Sequence, residues 1–227
     1  MRRSEINTII DRAVDFLRRQ SFHLPPFAFW SKTEWQAKGP EVREIVENML
    51  GWDITDFGMG DFPKAGLLLF TIRNGNPNNP AYGKTYSEKI LIVEEEQVTP
   101  MHFHWQKMED IINRGGGNLV LQLYNATDDE RLADSDVTVS TDGVVRNIKA
   151  GDCIVLTPGE SITLPQRLYH KFWAEAGKGT VLAGEVSAVN DDSTDNRFLD
   201  GVPRFPGIQE DGEPQYILCT DYAAVRI

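Results

Sequence analysis

Cysteine is scarce in this chain of 227 residues: Cys153 and Cys219 are far apart and lie in apolar stretches. Two such cysteines do not make a disulfide scaffold, so both are expected as buried, reduced thiols, a usage that points to the cytosol. No apolar run approaches the roughly 18 residues of a membrane span, and the segment Met1-Arg2-Arg3-Ser4-Glu5 leads into an amphipathic pattern without a signal core. A soluble, unsecreted protein with no membrane partner follows. Basic charge is also short, with 23 Lys and Arg against 34 Asp and Glu for a net charge of −11. Nucleic acid is excluded as a partner on that balance, because neutralising phosphates needs clustered cations. Repeats and low-complexity linkers are absent as well, so one domain with extensions is expected.

Helical periodicity is confined to the N-terminal part. Ser4 reads as an N-cap, and Ile6, Ile9, Ile10, Ala13, Val14 and Leu17 recur at helical spacing. A second helix should start at Gly39-Pro40, run through Val42, Ile45, Val46, Met49 and Leu50, and stop at Gly51 to pack against a sheet. The aromatics Phe22, Phe27, Phe29, Trp30 and Trp35 are expected to seal helices onto that sheet. From residue 66 the texture becomes short β-rich runs, at 66–72, 88–94, 98–105, 118–124, 137–140, 143–148, 153–157, 161–164, 168–174 and 180–189. Turn formers such as Asn74-Gly75, Gly115-Gly116-Gly117, Asp142-Gly143 and Pro158-Gly159 separate them. This is a mainly β chain closing as an antiparallel sandwich or small barrel. The expected division is a helical extension over 1–65, a barrel core over 66–190 and a wrap over 191–227, with a further strand at Tyr216 to Cys219.

Histidine is limited to four residues, His23, His102, His104 and His170. On a strand, the period of two turns His102 and His104 to one face. Glu109 follows five residues later, and His170 lies on the apolar run Leu168 to Trp173, where a charged imidazole is costly unless paired, hydrogen-bonded or metallated. Three imidazoles and a carboxylate suit Mn, Fe, Co, Ni or Zn.

His102-x-His104-(x4)-Glu109-(x6)-Gly116 matches the first cupin motif, and Gly151-(x6)-Pro158-Gly159 with His170 resembles a stretched second one. The Asn expected four residues after the last histidine is Ala174. Beyond the motifs, Glu88 to Val93, His102 to Leu119, and Gly184-Glu185-Val186-Ser187 through Asn190-Asp191-Asp192 to Phe198 resemble the D-lyxose isomerase family of cupins. That resemblance implies a cupin barrel with N-terminal helices outside it and reversible conversion of D-lyxose to D-xylulose, and often of D-mannose to D-fructose. It also implies a divalent metal, usually Mn²⁺, on His102, His104, Glu109 and His170, and a homodimer.

Aldose–ketose isomerisation moves a proton between carbons through an enediolate, which a cation with open coordination positions stabilises. A base is then required. Glu185, inside the apolar run Val181 to Val186, is the candidate; pointing outward, it would be only a solvent-facing strand residue. Lys107, between two candidate ligands, could polarise a substrate oxygen or turn to solvent. Lys84, Asp192 and Arg197, in polar segments, are candidates for binding sugar hydroxyls. Two other readings of the motif stay open: a non-haem iron cupin dioxygenase, and a sugar-binding cupin without catalysis. A phosphosugar isomerase is disfavoured by the shortage of Lys and Arg around the motifs.

Overall fold

The computed structural model describes residues 1–79, 81–189 and 191–225; Asn190 of the family likeness and the last two residues of the wrap lie outside them. Helix α1 (Arg3–Arg19) opens the chain. It starts one residue before the expected cap, because Ser4 is already helical; its N–H and hydroxyl both donate to the Asp211 carboxylate, at 2.9 and 2.7 Å. A carboxylate at a helix N-terminus meets both free donors and the positive end of the dipole. Helices α2 (Lys32–Gln36) and α3 (Arg43–Glu47) are single short turns. The second helix therefore ends earlier than its periodicity suggested. Met49 takes a left-handed φ of 54° and Gly51 begins a strand instead of stopping a helix.

The strands are β1 (Gly51–Thr55), β2 (Leu67–Arg73), β3 (Tyr86–Val93), β4 (Thr99–Phe103), β5 (Glu109–Gly116) and β6 (Leu119–Asn125). They continue with β7 (Val137–Thr141), β8 (Val144–Ile148), β9 (Cys153–Leu156) and β10 (Ser161–Leu164). The last are β11 (Leu168–Ala174), β12 (Val181–Ala188) and β13 (Arg197–Phe198), before the short helix α4 (Tyr222–Val225). One sheet has the order β1-β2-β3-β12-β5-β10-β7-β8 and the other β13-β4-β11-β6-β9, with every pairing inside them antiparallel. The two sheets face each other as a cupin jelly roll.

Alternation on β2 shows how the layers form. Leu67 and Leu69 face the core between the sheets, while Leu68 and Phe70 face outward into a second core under α1 with Ile90, Ile92 and Leu182. Strand β1, inside the segment expected to be helical, follows the same rule: Trp52 and Ile54 join the core beneath α1. The motif glycine Gly116 sits at φ 84°, and a Cβ there would fall 2.1 Å from the Thr180 carbonyl oxygen. No other residue fits that reversal.

Three further expectations are corrected. Cys153 is exposed, because β9 is an edge strand whose alternation turns Ile154 and Leu156 inward and Cys153 and Val155 out; Cys219 is buried, and both are free. Residues 216–219 are not a strand: Leu218 makes only an isolated bridge to Trp52 before a 3₁₀ turn over Cys219–Asp221. Phe29 is 46% exposed, whereas Trp35 is buried and Phe22, Phe27 and Trp30 pack on core clusters.

Candidate active site and metal centre

Pairing of β4 with β11 sets His102 opposite His170. Their rings lie 4.1 Å apart between centroids, and His104, just past the end of β4, is 5.2 Å from His102 and 5.5 Å from His170. The chain then crosses from the smaller sheet to the larger one and enters β5 at Glu109. This crossing, not a hairpin, is what brings the fourth candidate ligand beside the imidazoles. Glu109 Oε1 lies 3.4 Å from His104 Nε2 and 3.2 Å from His170 Nε2.

The tautomers follow from the partners. Each histidine Nδ1 meets a backbone carbonyl, which can only accept: His102 on Pro100 at 2.7 Å, His104 on Asp195 at 2.8 Å and His170 on Leu168 at 3.0 Å. Each Nδ1 is therefore the protonated nitrogen, and three Nε2 lone pairs converge, with ligand atoms all within 4.8 Å of one another. Burial pushes the His102 imidazole well below the usual range, and the two neighbouring imidazoles push it further, so it stays neutral. His170 Nε2 is buried without a hydrogen-bond partner. Lone pairs facing a carboxylate with no proton between them repel, and a cation reverses the sign of that contact. The donor set fits a divalent metal.

From Glu109 a chain of alternating charge crosses the barrel. Lys107 Nζ lies 2.7 Å from Glu109 Oε2 and 2.9 Å from Glu185 Oε1. On the next strand Lys89, opposite Glu185 in the β3–β12 register, stands 3.5 Å from that carboxylate and 3.1 Å from both Asp192 oxygens. Arg204 then joins Asp192, at 3.3 Å, to Asp53. Burial by itself would push the Lys107 ammonium down; Glu109 and Glu185 outweigh it and hold the pKa above the ordinary lysine value. Burial would likewise raise Glu109, but the Lys107 ammonium keeps it well below the carboxylate range.

All of these groups except Asp53 line one cavity, floored by Phe57, Leu69, Leu91 and Phe172. Asp192, of the three residues expected to hold sugar hydroxyls, is in its wall. Lys84 and Arg197 are not. The loop before Lys84 leans on α3, with Tyr82 Oη and Asn76 Nδ2 donating to Glu47, and the Lys84 ammonium is taken by Glu44. Arg197 precedes Phe198, whose ring turns inward 5.3 Å from His102, so alternation sends the guanidinium outward to Glu130 at 2.9 Å.

Lys89, Arg204 and Asp53 went unread in the sequence. A lysine within the apolar run 88–93 carried the same signal as Glu185. Arg204, between a proline and a phenylalanine in an irregular segment, carried none. Its Nη1 is buried without a hydrogen-bond partner in the cavity wall.

Fold and site together define a cupin barrel with a histidine centre able to hold a metal beside an acid–base cavity. A family model described as D-lyxose isomerase matches residues 1–222. The chain is 51% identical to a D-lyxose/D-mannose isomerase of Escherichia coli O157:H7 over the whole of both chains. It is equally identical to one of Serratia proteamaculans over 98% of each. Among solved structures, the L-ribose isomerase of Cellulomonas parahominis with L-ribose superposes with a TM-score of 0.60 over 92% of this chain and 98% of that one, at 15% identity, a likeness of fold. The chain belongs to the D-lyxose isomerase family, and is a sugar isomerase. No helix among the described residues is long and apolar enough to cross a membrane.

Proposed function

We propose that this enzyme is a divalent-metal-dependent aldose–ketose isomerase interconverting D-lyxose with D-xylulose and D-mannose with D-fructose. The observation that carries this reading is the contact of Lys107 with both Glu109 and Glu185, beside three imidazoles whose lone pairs converge. The names of the two relatives at 51% identity support the choice of sugars. His102, His104, Glu109 and His170 would hold the cation, with Mn²⁺ the metal the family resemblance suggests, and bound there it supplies Lewis-acid stabilisation of the charge that develops on the sugar oxygens.

The remaining steps belong to the chain. Glu185 takes the proton from C2 of the aldose and returns it to C1, which breaks one C–H bond and forms the other through an enediolate. Lys107 gives a proton to O1 and recovers the one O2 sheds. Its two carboxylate partners keep it charged between turnovers. Asp192, with Lys89 and Arg204, holds the distal hydroxyls, and the apolar floor keeps water from the reacting carbons. A single domain with an N-terminal extension and a C-terminal wrap, a homodimer and a cytoplasmic site of action complete the proposal.

Protein dialysed against a chelator, then supplied with Mn²⁺, should form ketose from D-lyxose and D-mannose, and none before metal is restored. Absence of ketose from either sugar with any divalent metal overturns the reading. Run in deuterated water, the reaction should leave deuterium on the reacting carbon; a hydride shift would leave none.

A further inference from the structure

Asp195 lies in the loop between β12 and β13, 91 positions from His104, yet three hydrogen bonds behind the site are its own. Its carbonyl accepts the His104 Nδ1–H at 2.8 Å. Its carboxylate accepts the backbone N–H of Gln106 on Oδ1 and of Lys107 on Oδ2, both at 3.0 Å. Residues 104–108 form the crossing between the sheets and belong to neither ladder, so both amides would otherwise lose their protein partner. One residue thus grips the crossing at two points, through the ring of a candidate ligand and through the backbone that carries the cavity's ammonium. The loop also reaches the cavity itself: Asn196 and Asp192 are in its wall, and Asn196 Nδ2 donates to the Asp192 carbonyl at 2.7 Å.

We infer that Asp195 is a positioning residue that fixes the His104 ring and the Lys107 backbone to the loop meeting the sugar, so that metal grip and sugar contact move together. The carbonyl alone does this less firmly, because its side of the loop is held by the Asp195 N–H bond to the Asp191 carbonyl at 3.0 Å and by the two-residue pairing of β13 with β4, neither of which ties it to the crossing at residues 104–108. The two amide bonds to the side chain provide the anchor, and they are what mutation can remove. The inference rests on the metal reading of the histidine centre, but its first readout needs no metal.

In the metal-free enzyme, long-range ¹H–¹⁵N correlations report the His104 tautomer, expected as Nδ1–H in the wild type. Asp195→Ala should mix the tautomers, weaken Mn²⁺ binding by roughly 10- to 100-fold and shift the visible absorption bands of the Co²⁺-substituted enzyme. Asp195→Asn has the same shape and one remaining acceptor, is expected to fold, and should fall between wild type and Asp195→Ala. A wild-type tautomer in both variants, with Mn²⁺ affinity within about twofold of the parent, overturns the inference even if the melting temperature drops, since a mere staple of the turn would do that. If the parent itself binds no divalent metal, the metal reading fails, and the tautomer alone decides the role of Asp195.

Discussion

Along β3 the residues facing into the barrel run Val93, Leu91, Lys89, Ser87, and along β12 beside it Val181, Ala183, Glu185, Ser187, all of them buried. Hydrocarbon gives way to charge in one two-residue step on both strands. The same step occurs on β5 between Ile111 and Glu109 and on β11 between Phe172 and His170. One end of the barrel is an apolar core of Leu119, Leu121, Val139, Ile162 and their neighbours. The other end holds three cations interleaved with four carboxylates, an excess of one negative charge beside the imidazoles. Burying apolar side chains stabilises the fold by about 25 cal/mol per Å², whereas burying ions costs desolvation that pairing only partly offsets. The apolar end holds the sheets together and the charged end performs the chemistry.

The largest effect should come from the charged end. Glu185→Gln is expected to lower kcat by about 10²- to 10⁴-fold while bound metal and fold are unchanged, measured by turnover and metal analysis. Turnover near that of the parent would remove Glu185 from catalysis. Leu121→Ala probes the other end. It should cost about 2–5 kcal/mol in denaturant unfolding, with kcat per folded molecule unaltered; a loss of kcat would erase the division between the two ends.

Within the charged end, Arg204→Met should raise the sugar's KM by roughly tenfold, the loss of about one hydrogen bond from a charged donor. Lys84→Ala and Arg197→Ala should leave KM unchanged, because their ion pairs lie outside the cavity. The smallest measurable effect is expected outside the barrel. Arg3 bonds Glu210 at 2.7 Å and Asp221 at 2.9 Å, and its hydrogen bonds hold the Glu210 carboxyl below the ordinary glutamate range. A carboxyl lowered by folding stabilises above its unfolded pKa and loses that contribution as pH falls through its folded one. The melting-temperature gap between parent and Arg3→Met should therefore be constant near neutrality and narrow in acid, below about pH 4.3. With Glu210 more than half exposed, the pH-dependent part should stay under about 1 kcal/mol. A gap that widened in acid would reverse the assigned sign.

Much of the barrel was legible because alternation is a local property: β2, β6, β7, β11 and β12 were marked by β-branched and aromatic runs between turn formers. Strand β5 escaped notice since Glu109, Asp110, Asn113 and Arg114 break its apolar pattern and its C-terminal end is glycine. Its stability comes from neighbours on both sides, β10 and β12, which no local window sees. The short β1 was hidden in the same way. The exposure of Cys153 depended on β9 being an edge strand, a fact of sheet order.

By itself the sequence determined which side chains the barrel could turn inward, since a period of two commits His102 to the face opposite Phe103 and Glu185 to the face of Ala183 and Val181. It also named the imidazoles and carboxylates that chemistry would use, because their burial in apolar runs is costly without a partner. Only the tertiary structure decided which charges meet. Lys89 and Glu185 become partners through the β3–β12 register, Arg204 arrives from an irregular segment with no periodic signal, and Lys84 and Arg197 are taken by Glu44 and Glu130. Ion pairing falls off within a few ångströms, so partners separated by tens of residues are chosen by the path of the backbone and not by the composition around either one.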